Sequence, residues 1–288
     1  MVNILTIVAI CITLFIGLVL PIALYIVYGV RNKKKEVWIA GAFGACGFVL
    51  LQVAIRLQII NVLAALPGFI TWVKTYYILY CFILAFTAGA FEVIGRYGVA
   101  KILSKSESLS KNLTYEMGIA AGIGHGGIEA VVLIGTAYVN NLIYVILINT
   151  GLFDSMLDKL MGTEKEAFHT MYQQFQAVRD ILIETPWHTF LLAGYERILT
   201  MVIHIALTLL VFYFVSRRKD IAGILICLFL HTAVDFFIPI LNGMASEYLG
   251  YRITQNTAYI LVYTTLTIAA AGGVLIVLRI KKLWKAEE

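Results

Sequence analysis

The 288 residues are 61% hydrophobic and only 14% charged, with a mean hydropathy of +0.89. That composition excludes a soluble globular domain and a disordered chain, and leaves an integral membrane protein built of helices. A net charge of +5 would suggest nucleic acid in a soluble chain, but here the basic residues cluster beside apolar runs. Membrane orientation accounts for them, and no nucleic-acid partner is expected.

In chain order, stretches of ~20 apolar residues bounded by charge predict seven spans. They run from about Val2 to Tyr28, Val37 to Ile55, Thr75 to Ile102, Tyr115 to Val139, His188 to Val215, Ile221 to Leu241 and Ala258 to Leu278. The first lacks a basic leader and a small-residue cleavage site, so it reads as a retained span rather than a signal peptide. Alternate connections are basic ("RNKKK", "KILSKSESLSKN", "SRRKD", "RIKKLWK") and hold fourteen of the 22 Lys and Arg. Arg56, Lys74, Lys159, Lys165, Arg179 and Arg252 fall on the other side. This bias predicts an outside N-terminus and a cytoplasmic C-terminus.

Residues 142–186 form the one long connection, expected outside the cell. Its opening, "LIYVILINTGLF", reads as re-entrant or as an extension of the fourth span. Ala167, Met171, Phe175, Val178 and Leu182 then recur at helical spacing, which predicts an amphipathic helix on the membrane or capping the bundle. Thr185 is a candidate N-cap with Pro186 opening the fifth span. Cys11, Cys46, Cys81 and Cys227 lie in apolar runs without CxxC spacing and read as packing residues. The expectation is an all-α polytopic membrane protein, with residues 1–288 as a single transmembrane domain.

Ionisable residues inside spans cost ~2.5–3.5 kcal/mol each on an insertion scale, so they mark candidate sites. They are Glu92 and Arg96, His125 and Glu129, Glu196, Arg197 and His204, and His231 and Asp235. All belong to spans three to six, which predicts a polar core inside an apolar jacket. His125, His204 and His231 each lie ~10–11 residues from the basic end of their span, or ~15 Å at ~1.5 Å per residue. That is near the midplane of a ~30 Å core, and Glu92 falls at the same level. Glu92/Arg96, His125/Glu129 and His231/Asp235 are i, i+4 pairs, each able to face one cavity. Gly118, Gly122 and Gly126 make a ladder that admits a close neighbour, and Gly124 and Gly127 are expected to leave space beside His125. Singly, each feature has a packing explanation; three histidines at one depth with acidic partners point instead to a catalytic or ion-handling centre.

The ordered motifs "EVIGR", "GHGGIEA", "ERILTMVIH" and "HTAVDF", between about Thr75 and Leu241, resemble the YhfC family of membrane peptidases. That family is grouped with the CAAX prenyl endopeptidases, the bacterial CPBP proteins and the PrsW proteases. The resemblance implies intramembrane proteolysis in a bacterial cytoplasmic membrane, acting on a peptide or membrane-protein substrate through glutamate-activated water or a metal. The CAAX-type pattern is EExxxR, yet Phe91 stands where its first glutamate would, and Glu92 matches the second. The base then lies among Glu92, Glu129 and Glu196, with Glu129 favoured. His231 and Asp235 match the final HxxxN/D motif, which is expected to stabilise an oxyanion, with Arg96 as the alternative. His125, His204 and His231 also permit a zinc hydrolase with Glu129 as base. Two other classes remain open: a proton-coupled transporter or channel, and a non-catalytic scaffold whose polar core fixes helix partners.

Overall fold

A computed structural model describes the chain except residues 107–111, 162–165, 247, 250–252 and 287–288; the side chains of 160, 161 and 166–168 also lie outside the description. Lys111, Lys165 and Arg252 of the charge pattern, and the side chain of Ala167, therefore lie outside the described residues. Ten helices make up the described chain: α1 (Ile4–Asn32), α2 (Lys35–Ala64), α3 (Phe69–Thr75), α4 (Tyr77–Lys105), α5 (Tyr115–Asn149), α6 (Leu152–Met161), α7 (Glu166–Glu184), α8 (Trp187–Ser216), α9 (Asp220–Ala245) and α10 (Gln255–Lys285). Seven of them, α1, α2, α4, α5, α8, α9 and α10, are long and apolar enough to cross a membrane. Their flanks expose large apolar side chains such as Ile221, Phe229 and Leu275, which lipid rather than water can solvate. The chain is a multi-pass all-α membrane protein.

Local chemistry sets several boundaries. The Asn3 side chain accepts from the Leu5 N–H at the start of α1, and Thr254 caps α10 by accepting from the Thr257 N–H. α8 begins at Trp187, one residue later than expected, because the Pro186 carbonyl already accepts the Thr189 N–H at 2.9 Å. α5 runs on to Asn149, so the apolar opening of the long connection extends the fourth span. α1, α2 and α5 contain π-helical stretches at Phe15–Val19, Val49–Arg56 and Val131–Gly135. Such stretches change which face a residue presents and recur at functional sites.

The chain forms two compact units, Met1–Pro21 with Ala130–Ile198, and Ile22–Glu129 with Leu199–Glu288. In the first, Ile10, Tyr138, Phe153, Leu182 and Phe190 form the core. Thr13 Oγ1 and Tyr138 OH both donate to the Phe190 carbonyl, at 2.8 and 2.9 Å. α7 packs Phe175, Val178 and Leu182 against this core and leaves Met171 exposed, so the expected apolar stripe is mostly buried.

In the second unit, the glycines of α5 decide the packing. A Cβ at Gly118, Gly122 or Gly126 would lie 2.8 Å from Leu209, 2.6 Å from the Ile205 Cα and 2.9 Å from the His204 Cβ, so this ladder seats α8. On the other side Gly124 meets the Gly41 carbonyl of α2, and a Cβ at Gly44 would meet Ala121. Gly124 thus serves close approach rather than leaving space beside His125. α4 packs most extensively on α9. Two glycine-lined contacts and one broad helix pair bring α2, α4, α5, α8 and α9 together around the polar residues.

Candidate active site

Glu92 on α4 is the hub. Its Oε2 accepts from Arg96 Nη2 at 2.8 Å, one turn along the same helix, and from His125 Nε2 of α5 at 3.0 Å. Its Oε1 accepts from Gln52 Nε2 of α2 at 2.7 Å. Arg96 Nη2 also reaches His204 Nδ1 of α8 at 2.6 Å, and Arg96 Nε donates to Thr208 Oγ1 at 3.2 Å. A guanidinium has only donors, so His204 Nδ1 must be the acceptor in that contact. The His204 proton then sits on Nε2, which faces Glu129 Oε2 of α5 at 2.7 Å. On α9, His231 Nε2 donates to Asp235 Oδ2 at 3.0 Å, and its Nδ1 lies 3.5 Å from Arg96 Nη1 and 3.6 Å from Glu92 Oε2.

The three imidazoles adjoin one another: ring centroids of His125 and His204 are 5.3 Å apart, and those of His204 and His231 are 5.6 Å apart. Phe48 of α2 packs edge-on against His125 at 5.2 Å and closes that side with hydrocarbon. Glu92, Arg96, His125, His204 and His231 are all buried, and Asp235 is half-buried. Pro239 on α9 has no N–H, which releases the Asp235 carbonyl from its usual helical bond one turn before it.

Of the residues singled out in the sequence, Glu92, Arg96, His125, Glu129, His204, His231 and Asp235 therefore adjoin one another within the second unit. Glu196 belongs to the first unit, where it pairs with Arg197 at 2.5 Å. The sequence pattern does not mark Gln52 and Thr208 and counts Arg56 only among the basic residues opposite the basic loops, with the second span expected to be part of an apolar jacket; the structure places Arg56 inside the membrane-crossing helix α2. Gln52 and Arg56 both lie in the π-helical stretch of α2, and Arg56 reaches Gln52 Oε1, Thr87 Oγ1 and the Leu84 carbonyl. Phe91 lines an apolar pocket of about 320 Å³ with Arg56, Trp72 and Tyr80.

One ligand atom from each of Glu92, His125, Glu129 and His204 falls within 4.8 Å of the others. Two imidazoles and two carboxylates, largely shielded from water, form a nitrogen and oxygen donor set of the kind zinc accepts, so these residues fit a metal. The group contains two of the three histidines considered for zinc, with His231 bordering it through Glu92.

The profile of the YhfC intramembrane metalloprotease family matches residues 16–255. A curated relative, the "Uncharacterized membrane protein YhfC" of Bacillus subtilis (strain 168), is 34% identical over 134 residues, which is 46% of each chain. The aligned part thus spans about half the length of that relative. No solved structure matches this chain. With most of its length and the whole Glu92–His231 cluster inside the matched region, this chain belongs to the YhfC intramembrane metalloprotease family.

Proposed function

We propose that the chain is an intramembrane endopeptidase whose hydrolytic centre is the buried group Glu92, His125, Glu129 and His204. The observation that carries this reading is the convergence of two imidazoles and two carboxylates within 4.8 Å inside apolar spans. A purely structural charge cluster needs neutralisation, and Arg96 already supplies that for Glu92. It does not need a second carboxylate on a neighbouring helix.

Glu129 is assigned as general base. Both oxygens of Glu92 are engaged by three donors, which orient it but leave it poorly placed to take a proton from water. The Glu129 side chain is the more exposed of the two, 12% against 4%. In the proposed reaction the oxygen of water bonds to the scissile carbonyl carbon, Glu129 accepts the proton, and the proton passes to the leaving amine as the C–N bond breaks. Arg96 is assigned the positive charge and N–H groups for the oxyanion, with His231, oriented by Asp235, beside it. Glu92, His125 and His204 would hold a zinc ion, which when bound would acidify water and polarise a carbonyl, with Glu129 beside it as the base. The membrane is assigned as the bacterial cytoplasmic membrane, with the N-terminus outside and the C-terminus inside, and the substrate as a membrane-embedded peptide.

The test is metal content. Purified parent dialysed against zinc and then buffer is expected to retain about one equivalent per chain, and His125→Asn and His204→Asn to lose it while remaining folded and inserted. Equal zinc retention by parent and both variants would remove the metal from this site.

A further inference from the structure

Where α4, α8 and α10 end and α5 begins, the second unit opens a pocket of about 720 Å³ that the proposed hydrolytic function does not use. Its wall carries four cations, Lys101, Lys105, Arg217 and Arg218, with Ser104, Asn112, Thr114 and Ser216 between them, and no acidic side chain among the described lining residues. Asp220 is engaged from the side by Lys101 at 2.5 Å and by Tyr97 OH at 3.2 Å. The lining therefore keeps an excess of positive charge.

Two further features give this pocket a direction. Arg218 has a φ of +56°, in the left-handed region that side-chain-bearing residues rarely adopt. The turn is closed by Arg218 N–H to the Val215 carbonyl and Lys219 N–H to the Phe214 carbonyl, a helix ending in which glycine is usual at the position Arg218 occupies. Here that position is filled by a cation that lines the pocket. Trp284 forms the floor beside Tyr213 and Tyr115, at 5.7 and 6.4 Å, and such aromatic groups sit at headgroup level in membranes. Ile102 on α4, and Ile221 at the start of the neighbouring α9, are exposed for contact with acyl chains.

We propose that this pocket binds the phosphate of an anionic phospholipid headgroup. Basic pockets between span ends recognise such headgroups by charge-assisted hydrogen bonds to phosphate, and the serine and threonine hydroxyls here suit its remaining oxygens. The site is separate in residues from the Glu92 cluster, so its occupancy is independent of whether the chain cleaves peptides.

The experiment uses the full chain in neutral detergent, with retention of phosphatidylglycerol, phosphatidylcholine or inorganic phosphate measured by native mass spectrometry. The parent is expected to retain phosphatidylglycerol over phosphatidylcholine, and Lys105→Gln/Arg218→Gln, both exposed positions, to retain about tenfold less. A control that removes equal charge from another basic turn, Lys33→Gln/Lys34→Gln, is expected to match the parent. Parent-like retention by the Lys105/Arg218 variant, no preference over phosphatidylcholine in the parent, or equal loss in the control would overturn the assignment. Saturable binding of inorganic phosphate without lipid preference would replace the headgroup with free phosphate and also overturn it.

Discussion

Replacing Arg96 by Met tests whether the buried network is held together as the distances indicate. The Arg96 side chain is fully buried and lies 2.8 Å from Glu92 Oε2, a Coulomb attraction of about 6 kcal/mol at an effective dielectric of about 20, before the cost of desolvation. Desolvation offsets much of that in the intact pair, but a lone buried carboxylate has no such offset. Arg96→Met is therefore expected to lose about 3–5 kcal/mol of stability. Arg96→Met/Glu92→Gln should lose less than the sum of the single variants, because no unpaired charge is left and the amide can still bond Gln52 and His125. Reversible unfolding in mixed micelles at matched protein concentration measures all three. A loss below about 1 kcal/mol for Arg96→Met, or strict additivity in the double variant, would refute the network as described.

Other outcomes follow from packing and topology. Gly122→Val should cost about 1–3 kcal/mol, because its Cβ would meet the Ile205 backbone at 2.6 Å and α8 must move. Gly272→Ala, which meets nothing within 4 Å, should be neutral or slightly stabilising in the same unfolding assay. In a background lacking the four native cysteines, an impermeant thiol reagent applied to intact cells should label a cysteine at Glu184 but not one at Lys34. Labelling at Lys34 from outside would reverse the orientation.

Much of the architecture was legible because lipid imposes a simple rule: about twenty apolar residues make a span, and seven such runs became seven helices. The span ends were less legible. α5 continues past Val139 through the polar pair Asn140 and Asn141, since the membrane-crossing helix can carry on beyond hydrocarbon depth. In the site, charge made Glu92, Arg96, His125 and His231 conspicuous within apolar sequence. Gln52 and Thr208 carry no charge and leave only a faint dip in hydropathy, so nothing in the pattern singled them out. Gln52 reaches Glu92 from a π-helical stretch, whose facing an ideal helical period does not give. The i, i+4 pairs also differ in use. Glu92 with Arg96 and His231 with Asp235 bond along one helix, whereas His125 and Glu129 reach outward to α4 and α8. That cross-helix pattern depends on the close approach at Gly118, Gly122, Gly124 and Gly126, and sequence spacing alone does not specify which helices approach.

The most direct test of the proposed centre is cleavage of single-span membrane peptides by parent and Glu129→Gln chains, co-reconstituted in vesicles at matched folded concentration. The amide keeps the size and hydrogen-bonding capacity of the carboxylate but cannot take a proton from water, so turnover is expected to fall by about 10²–10⁴-fold with folding and insertion unchanged. Parent-like turnover in Glu129→Gln would contradict the assignment of the base. Absence of cleavage by the parent across the peptides, with uptake driven by a pH gradient, would contradict the protease reading itself in favour of a proton-coupled transporter.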